Sequence, residues 1–479
     1  MDPMTAMAAP PGEAAAINPA APTRLDRSAV SWAAFQGFRD PYLGLIGNYV
    51  FMPYFATVLI HDPVAGQEAT ATIGKVTGLG VAIAAPLLGA SIDRIGPRKP
   101  LLGLCVAVFV PLVAALWFAA PDGPLSVRTI MAMLAIAGLL FTMIDILFSS
   151  MLPTAAAPAA RSRASGLALS LGNVVGFALI AAVLWAFALP GTVAAPGIVP
   201  AQPLLGLDHA TFETSRIVGP IVAIVFALGA IPLFLFTRDA PRPPRDATPA
   251  PGQRNPFAGF AGLRGERDVL TYIVVRTVSQ DAGMVLLIMG GVFASGIMGW
   301  GATQMLAYGL LATIGGVGAG ALASYLDQRV GPRRALQIEI AGTLIALIGM
   351  IGTNPRQILY LWRWDNTAAP VPLPNMPFAT LPDLAFLGIA MTGLVFQIAA
   401  WSSSRTLLVA LAPAERVGSC FGLAAFAAAT TGWLGPLLVG WATATWATQQ
   451  AGMVPIAVLL VIGLAGLSLV RGGGRPVAR

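Results

Sequence analysis

Apolar runs of about 20 residues recur along the whole chain, each long enough to cross roughly 30 Å of hydrocarbon. Lipid offers no hydrogen bonds, so a backbone inside it must pair internally. Runs this long, rich in Leu, Ala and Gly, do so as helices and not as barrel strands. The composition agrees: 56% of residues are hydrophobic and 10% charged, where a soluble domain carries about 25% charged. The sequence predicts an all-α integral membrane protein with spans near 38–60, 74–93, 100–119, 128–152, 164–189, 217–236, 269–296, 301–324, 333–352, 383–403, 417–441 and 450–470.

A charged turn wedged between two apolar runs occurs twice. GASIDRIGPRK (Gly89–Lys99) joins spans 2 and 3, and SYLDQRVGPRR (Ser324–Arg334) joins spans 8 and 9. Its two aspartates, Asp93 and Asp327, lie about half the chain apart. One turn per half implies two equivalent six-helix bundles related by a pseudo-twofold axis, the internal-repeat architecture of secondary transporters.

Positive charge sets orientation. With the N-terminus cytoplasmic, twenty of the Lys and Arg residues fall on cytoplasmic segments and five on the opposite face, while Arg39, Arg276 and Arg405 sit at span ends or inside spans. This bias places both termini in the cytoplasm and explains the net charge of +7 as topology, so a nucleic-acid partner loses its support. The expected organisation is a disordered tail (1–34), an N-terminal bundle (35–237), a cytoplasmic linker (238–266), a C-terminal bundle (267–471) and a short tail (472–479). The first 30 residues lack a basic segment before an apolar core, so they do not read as a cleaved signal. In the linker, Phe257, Phe260 and Leu263 lie at helical spacing beside Arg264 and Arg267, as in an interfacial helix. Of two long outer loops, about 190–216 and 353–382, the second reads either as a cover over the outer mouth or as an inert surface loop.

Several classes are excluded. Cys105 and Cys420 lie in or beside apolar runs and suggest neither a disulfide framework nor a zinc site. Only His61 and His209 are present, too few for a metal cluster or a nucleophile–base pair. The expectation is therefore no enzyme, no metal and no cofactor. No Gly-x-x-x-x-Gly-Lys-Ser/Thr stretch occurs, which disfavours ATP-driven transport by this chain alone.

The layout, with its duplicated turn, resembles the major facilitator superfamily over roughly residues 35–470. Within it the chain is most similar to the unknown-major-facilitator family, related to vacuolar amino-acid effluxers. Three stretches carry that likeness: Ala85–Leu102 (APLLGASIDRIGPRKPLL), Phe148–Pro153 with Arg161–Gly176, and Ser279–Gly283 (SQDAG). The chain departs from that family at Ser149 and Ser150, where an aromatic-Asn pair is usual, at Thr154, where an acid is usual, and around Asp40. The resemblance implies a monomeric, multi-pass protein of a bacterial inner membrane, with lipid, a small-molecule substrate and H+ as its partners. It would move an amino acid or related metabolite by alternating access. A cation-coupled sugar symporter and a non-transporting assembly or delivery factor on the same fold are the alternatives.

Charge inside a span is costly and invites a functional reading. Spans 1, 4, 7 and 10 line the central cavity in the superfamily, and Asp40, Asp145, Asp281 and Gln397 fall on them; Arg276, Gln280 and Asn48 complete the candidate substrate and coupling set. A carboxyl group in a low-dielectric cavity can carry a proton, so Asp281 or Asp145 is the expected coupling site, with Arg276 or Arg39 tuning it or holding a substrate carboxylate. Arg39 and Asp40 equally fit a headgroup-facing pair whose side chains snorkel, and Asp145 equally fits a buried structural group. Arg276 and Asp281 are five residues apart, roughly 140° around a helix at ~100° per residue, so each faces its own partner.

The expected gating residues are Gly89, Asp93, Arg94, Gly96, Arg98 and Lys99 in the first turn, and Asp327, Arg329, Gly331, Arg333 and Arg334 in the second. Arg98 and Lys99 are expected in the headgroup layer. By the resemblance, Asp93 meets the N-terminus of span 11 after Pro413–Gly418 and latches the cytoplasmic side, and Asp327 meets the start of span 5 after Arg163. Asp93→Asn is expected to leave insertion intact and to shift the resting population toward the inward-open state. Distances between labels across the cytoplasmic face test this, and unchanged distances would refute the latch.

Overall fold

The computed structural model describes residues 25–95, 97–157, 160–191, 199–241, 266–365, 377–413 and 417–472. Eleven helical segments among them are long and apolar enough to cross a membrane. In chain order they are α1 (Arg27–Leu59), α3 (Lys99–Phe118), α4 (Val127–Ser150), α5 (Arg163–Ala188), α6 (Glu213–Phe236), α7 (Arg267–Met298), α8 (Ala302–Val330), α9 (Pro332–Ile351), α10 (Leu381–Leu411), α11 (Cys420–Trp446) and α12 (Gln449–Leu469). Between the first two runs the 33-residue helix α2 (Pro63–Ile95). The expected all-α architecture holds. Among the described residues its one exception is a hairpin of two-residue strands, β1 (Gln357–Ile358) with β2 (Trp362–Arg363), which packs on α10. The remainder of that outer loop, 366–376, and the expected interfacial helix at 257–264 lie outside the described residues.

The first helix opens eight residues inside the stretch expected as tail. Asp26 caps it, its Oδ1 accepting from the Ala29 N–H at 2.9 Å, which satisfies one of the donors left free at a helix start. Ser126, Thr380 and Thr448 cap α4, α10 and α12 in the same way. At the second charged turn Gly331 has φ +82°, a left-handed conformation that only glycine takes without strain, and Pro332 then starts α9.

Packing repeats six helices along. In the N-terminal half α1 packs on α5 and α6, α2 on α4, and α3 on α4 and α6; in the C-terminal half α7 packs on α11 and α12, α8 on α10, and α9 on α10 and α12. Each half has its own buried core. Phe35, Phe109, Phe148 and Phe226 belong to one; Tyr272, Phe293, Phe386 and Leu407 belong to the other. Both charged turns lie at the same end of the bundle, the motif face. The opposite end, the far face, carries the hairpin.

The halves meet through α2 with α11, α5 with α8, and α1 with α7. Gln67 of α2, fully buried, donates to Thr443 Oγ1 of α11 at 2.9 Å and to the Gln449 carbonyl of α12 at 3.0 Å. Thr303 of α8 donates to the Ala188 carbonyl of α5 at 3.0 Å. These bonds lie at the far face, which is therefore drawn shut. At the α1–α7 crossing a Cβ on Gly291 would stand 2.0 Å from the Asn48 carbonyl oxygen, so the backbones touch where a side chain would part them.

Gly291→Ala is expected to lower stability by about 1–3 kcal/mol, the range for overpacking a tight contact. Gly318→Ala, with no atom within 4 Å of the added Cβ, is the matched control and is expected to be neutral or slightly stabilising. Thermal unfolding of the detergent-solubilised protein reads both.

Candidate functional site

α1 departs from α-helical winding twice, at Tyr42–Tyr49 and at Phe55–Leu59, where its bonds run in π register. Such turns recur at functional sites because they displace a side chain from the helical row. Here the displaced region carries Tyr49. Its ring meets Tyr308 of α8 edge-on, 5.7 Å between centroids, and lies against Gly309, where a Cβ would be 2.6 Å away.

Tyr49 borders three cavities. One of about 150 Å³ lies between the halves and is lined by Asp40, Gly172, Asn173 and Thr313. One of about 190 Å³ lies at the far face, lined by Tyr54, His209, Thr214, Trp300 and Thr303. A small one of about 30 Å³ lies within the C-terminal half, against Tyr308 and Gln397. Tyr49 thus borders both the space beside Asp40 and the far-face space.

Beside the first cavity is a charged cluster. The Arg39 guanidinium donates to Asp40 Oδ1 from Nη2 at 3.0 Å and from Nε at 3.2 Å, and it also bonds Asp145 of α4. The rings of Phe141 and Phe148 flank it at 5.2 and 5.1 Å, a cation–π arrangement. Gln36 donates to the other Asp40 oxygen at 3.2 Å, and Gly172 of α5 leaves that oxygen room, since a Cβ there would come within 2.5 Å. One guanidinium serves two carboxylates, so the cluster has an acceptor in excess of its cation. Arg39 is 5% exposed, whereas the Asp145 side chain is 48% exposed.

The headgroup-facing reading of Arg39 and Asp40 is thereby corrected. Arg39 is buried, and its guanidinium is taken up by Asp40 and by Asp145 of the neighbouring α4 rather than extended outward. The other candidates do not join this cluster. Arg276 donates from Nε to Ser404 Oγ of α10 at 2.9 Å, and Asp281 is buried beside Thr431 of α11. The two face different partners, as their spacing predicts. Gln280 is half-buried on α7, Asn48 is buried at the α1–α7 crossing, and Gln397 packs against Gly283 while lining the small cavity.

The motif turns hold their own halves together. Asp239 accepts from the Arg98 and Lys99 N–H groups at 2.8 and 2.9 Å, capping α3, and Lys99 Nζ donates to the Phe234 carbonyl near the end of α6 at 2.9 Å. In the second copy Arg333 donates to the Leu467 and Ser468 carbonyls near the end of α12 at 3.1 and 3.0 Å. Lys99 therefore ties the start of α3 to the end of α6. Arg329 lies over the Tyr325 ring and Arg334 is exposed. Asp327 is a second correction: 7% exposed, it turns into its own half against Ser403 and Thr406 of α10, not toward the start of α5. The surroundings of Gly89, Asp93, Arg94 and Gly96, and the chain at 414–416, lie outside the described residues, and so does the expected latch.

Sequence reasoning passed over two residues. Glu339 is a fully buried acid on α9, readable by the same cost-of-charge rule that picked out Asp281. Tyr49 carries no signal, being one aromatic in an apolar run.

The sequence matches the family model described as Major Facilitator Superfamily over residues 42–365. No curated protein matches it. Among solved structures it is similar to the nucleoside transporter NupG, with 11% identity, a TM-score of 0.59, and 93% of this chain and 99% of that one covered. It is similar to a D-xylose-proton symporter, with 14% identity, a TM-score of 0.62, and 94% and 98% covered. It is also similar to a bacterial homolog of the human lysosomal transporter Spinster in an inward-facing, unoccupied conformation, with 17% identity, a TM-score of 0.59, and 93% and 96% covered. At these identities the likeness is one of fold.

Arg39→Gln leaves Asp40 and Asp145 without their cation and is expected to cost about 1–3 kcal/mol, the range for an orphaned hydrogen-bonded charge. Adding Asp145→Asn should recover part of the loss, because the two positions are in contact and their effects do not add. Thermal unfolding of the two single variants and the double variant measures the coupling.

Proposed function

The chain belongs to the major facilitator superfamily and is a secondary transporter, not an enzyme; on that premise we propose that it moves a small polar solute across a bacterial inner membrane by alternating access, coupled to H+, with amino acids and related metabolites as favoured substrates. The observation that carries this reading is the Arg39–Asp40–Asp145 cluster, one cation between two carboxylates, with Asp145 half exposed. A proton on Asp145 would balance the excess carboxylate, and the ammonium of an amino acid would do the same. Arg276, held on α10 by Ser404, is the cation available to a substrate carboxylate from the C-terminal half. Alternating access would open the far face by parting α2 from α11 and α5 from α8, while the motif face, cytoplasmic by its positive charge, closes.

A second reading is a neutral ring-shaped solute such as a sugar or nucleoside. It is favoured by Tyr49 and Asp40 bordering one cavity of about 150 Å³, because stacking on an aromatic face with hydrogen bonds to a carboxylate suits such rings.

Flux into proteoliposomes separates the readings. With an inward pH gradient, the wild type is expected to accumulate an amino acid. Asp145→Asn should keep exchange at equilibrium but lose gradient-driven accumulation, and Arg276→Gln should raise KM for carboxylate-bearing solutes only. Accumulation of a sugar or nucleoside, unaffected by Arg276→Gln, would establish the second reading; flux indifferent to the pH gradient would refute proton coupling.

A further inference from the structure

The cavity of about 190 Å³ at the far face is separate from the cluster around Arg39, and both halves wall it. Tyr54 of α1, Phe212 just before α6 and Ser215 of α6 come from the N-terminal half; Trp300, Ala302 and Thr303 at the start of α8 come from the C-terminal half. Phe212 is left-handed, with φ +55°, a conformation uncommon outside glycine, and its ring meets that of Tyr54 at 5.8 Å. With the buried Trp300 these rings make the wall largely aromatic.

Most polar groups around this space are already bonded. The Tyr54 hydroxyl donates to the Ala119 carbonyl at 2.7 Å, Thr57 to the Pro53 carbonyl at 2.8 Å and Thr303 Oγ1 to the Ala188 carbonyl at 3.0 Å. His209 Nε2 lies 2.9 Å from the Pro190 carbonyl, which can only accept, so this nitrogen carries a proton. Its Nδ1 lies beside the Thr214 hydroxyl at 3.4 Å. Trp300 Nε1 donates to Asp383 at 2.8 Å, and Thr380 holds that acid too. Three further donors are free. Ser215 is 5% exposed and lines the cavity, yet its hydroxyl has no partner among the described residues. The N–H groups of Ala302 and Thr303 lie in the first turn of α8, where a helix offers its own amides no acceptor. The Gly301 N–H before them is taken by Gln304 Oε1 at 3.1 Å.

None of the lining residues is acidic. Arg216, beside Ser215, bonds the Trp117 and Thr211 carbonyls at 2.9 and 3.2 Å. The start of the 29-residue α8 adds a positive dipole end of about half an elementary charge, which suits one carboxylate. An ammonium would meet the same positive end with no carboxylate to receive it, so an α-amino acid fits this space poorly.

We propose that the far-face cavity binds the carboxylate of a small apolar acid, on the Ala302 and Thr303 amides and the Ser215 hydroxyl, with its hydrocarbon against the aromatic wall. Because the two halves each supply part of this site, its occupant favours the shut far face; a ligand shifts such an equilibrium through its preference for one state. The site stands apart from the transport reading above and does not rest on it.

Equilibrium dialysis of radiolabelled benzoate against the full chain in detergent tests the site, with benzamide as the uncharged counterpart. Benzoate is expected to bind saturably, and benzamide about tenfold more weakly, as for loss of a charged hydrogen-bond partner. Ala302→Pro removes one of the donors at the first helical position, where proline is favoured; Gly301 is already extended there, at φ −80° and ψ −173°, as a residue before proline should be. Ala302→Pro and Ser215→Ala should each weaken benzoate binding roughly tenfold. Should Ala302→Pro fail to fold, Ser215→Ala decides alone. Benzoate affinity unchanged in these variants, or matched by benzamide, would overturn the proposal. So would a benzoate site kept in Ala302→Pro and lost in Arg276→Gln, which would belong to the transport cavity instead. Spin labels at the exposed Leu205 and Leu361, with Cys105 and Cys420 replaced by Ala, read the clamp. Saturating benzoate should shift their distances toward the shorter population; distances that stay put would overturn the clamp.

Discussion

Hydrocarbon solvates neither an ion nor a free backbone amide, and nearly every feature of this structure answers that constraint. Charged side chains deep in the bundle must be met by other side chains. In the N-terminal half the answer is Arg39, a planar donor able to serve Asp40 and Asp145 together while two phenylalanine rings cover its faces. In the C-terminal half the buried acid Glu339 is met by the Ser403 hydroxyl and, among the described residues, by no cation. Two bundles built to one plan have thus arrived at different charge chemistry on the same side of the protein.

That difference sits in two halves, each braced within itself. Each half is fastened at its ends, by Lys99 on the end of α6 and Arg333 on the end of α12. Between the halves, the closest crossings run through glycine, as where Gly291 meets Asn48 and where a Cβ on Gly78 would stand 2.7 Å from the Trp433 nitrogen. Backbone-to-backbone contact has no interlocking side chains to unpick. A half braced by its own basic residues and seated on smooth crossings can rock as a body.

How much of this was legible in the chain follows from the physics of each feature. The helices and the repeat were plain because length and apolarity alone decide what crosses a bilayer. The burial of Arg39 was hidden because the start of α1 is set by a polar cap, Asp26, ahead of the first apolar run rather than by the run itself. Partner choice was hidden for a different reason. Whether Asp327 meets α5 or α10 depends on how helices rotate about their axes, which no single helix records. The separation of Arg276 from Asp281 could be read, since angle along one helix is fixed by spacing. Tyr49 could not, because the π turns that displace it come from its surroundings and not from its own residue type.

Those π turns bear on the timing of transport. A ring bordering the spaces on both sides of the bundle moves by side-chain rotation, while the halves around it move collectively on roughly the μs–ms scale. Two clocks therefore act on one path. The slow one sets how many solute molecules cross each second. A fast step of that kind would set how well water and small ions are held back while the slow one turns, so throughput and tightness would be separate properties.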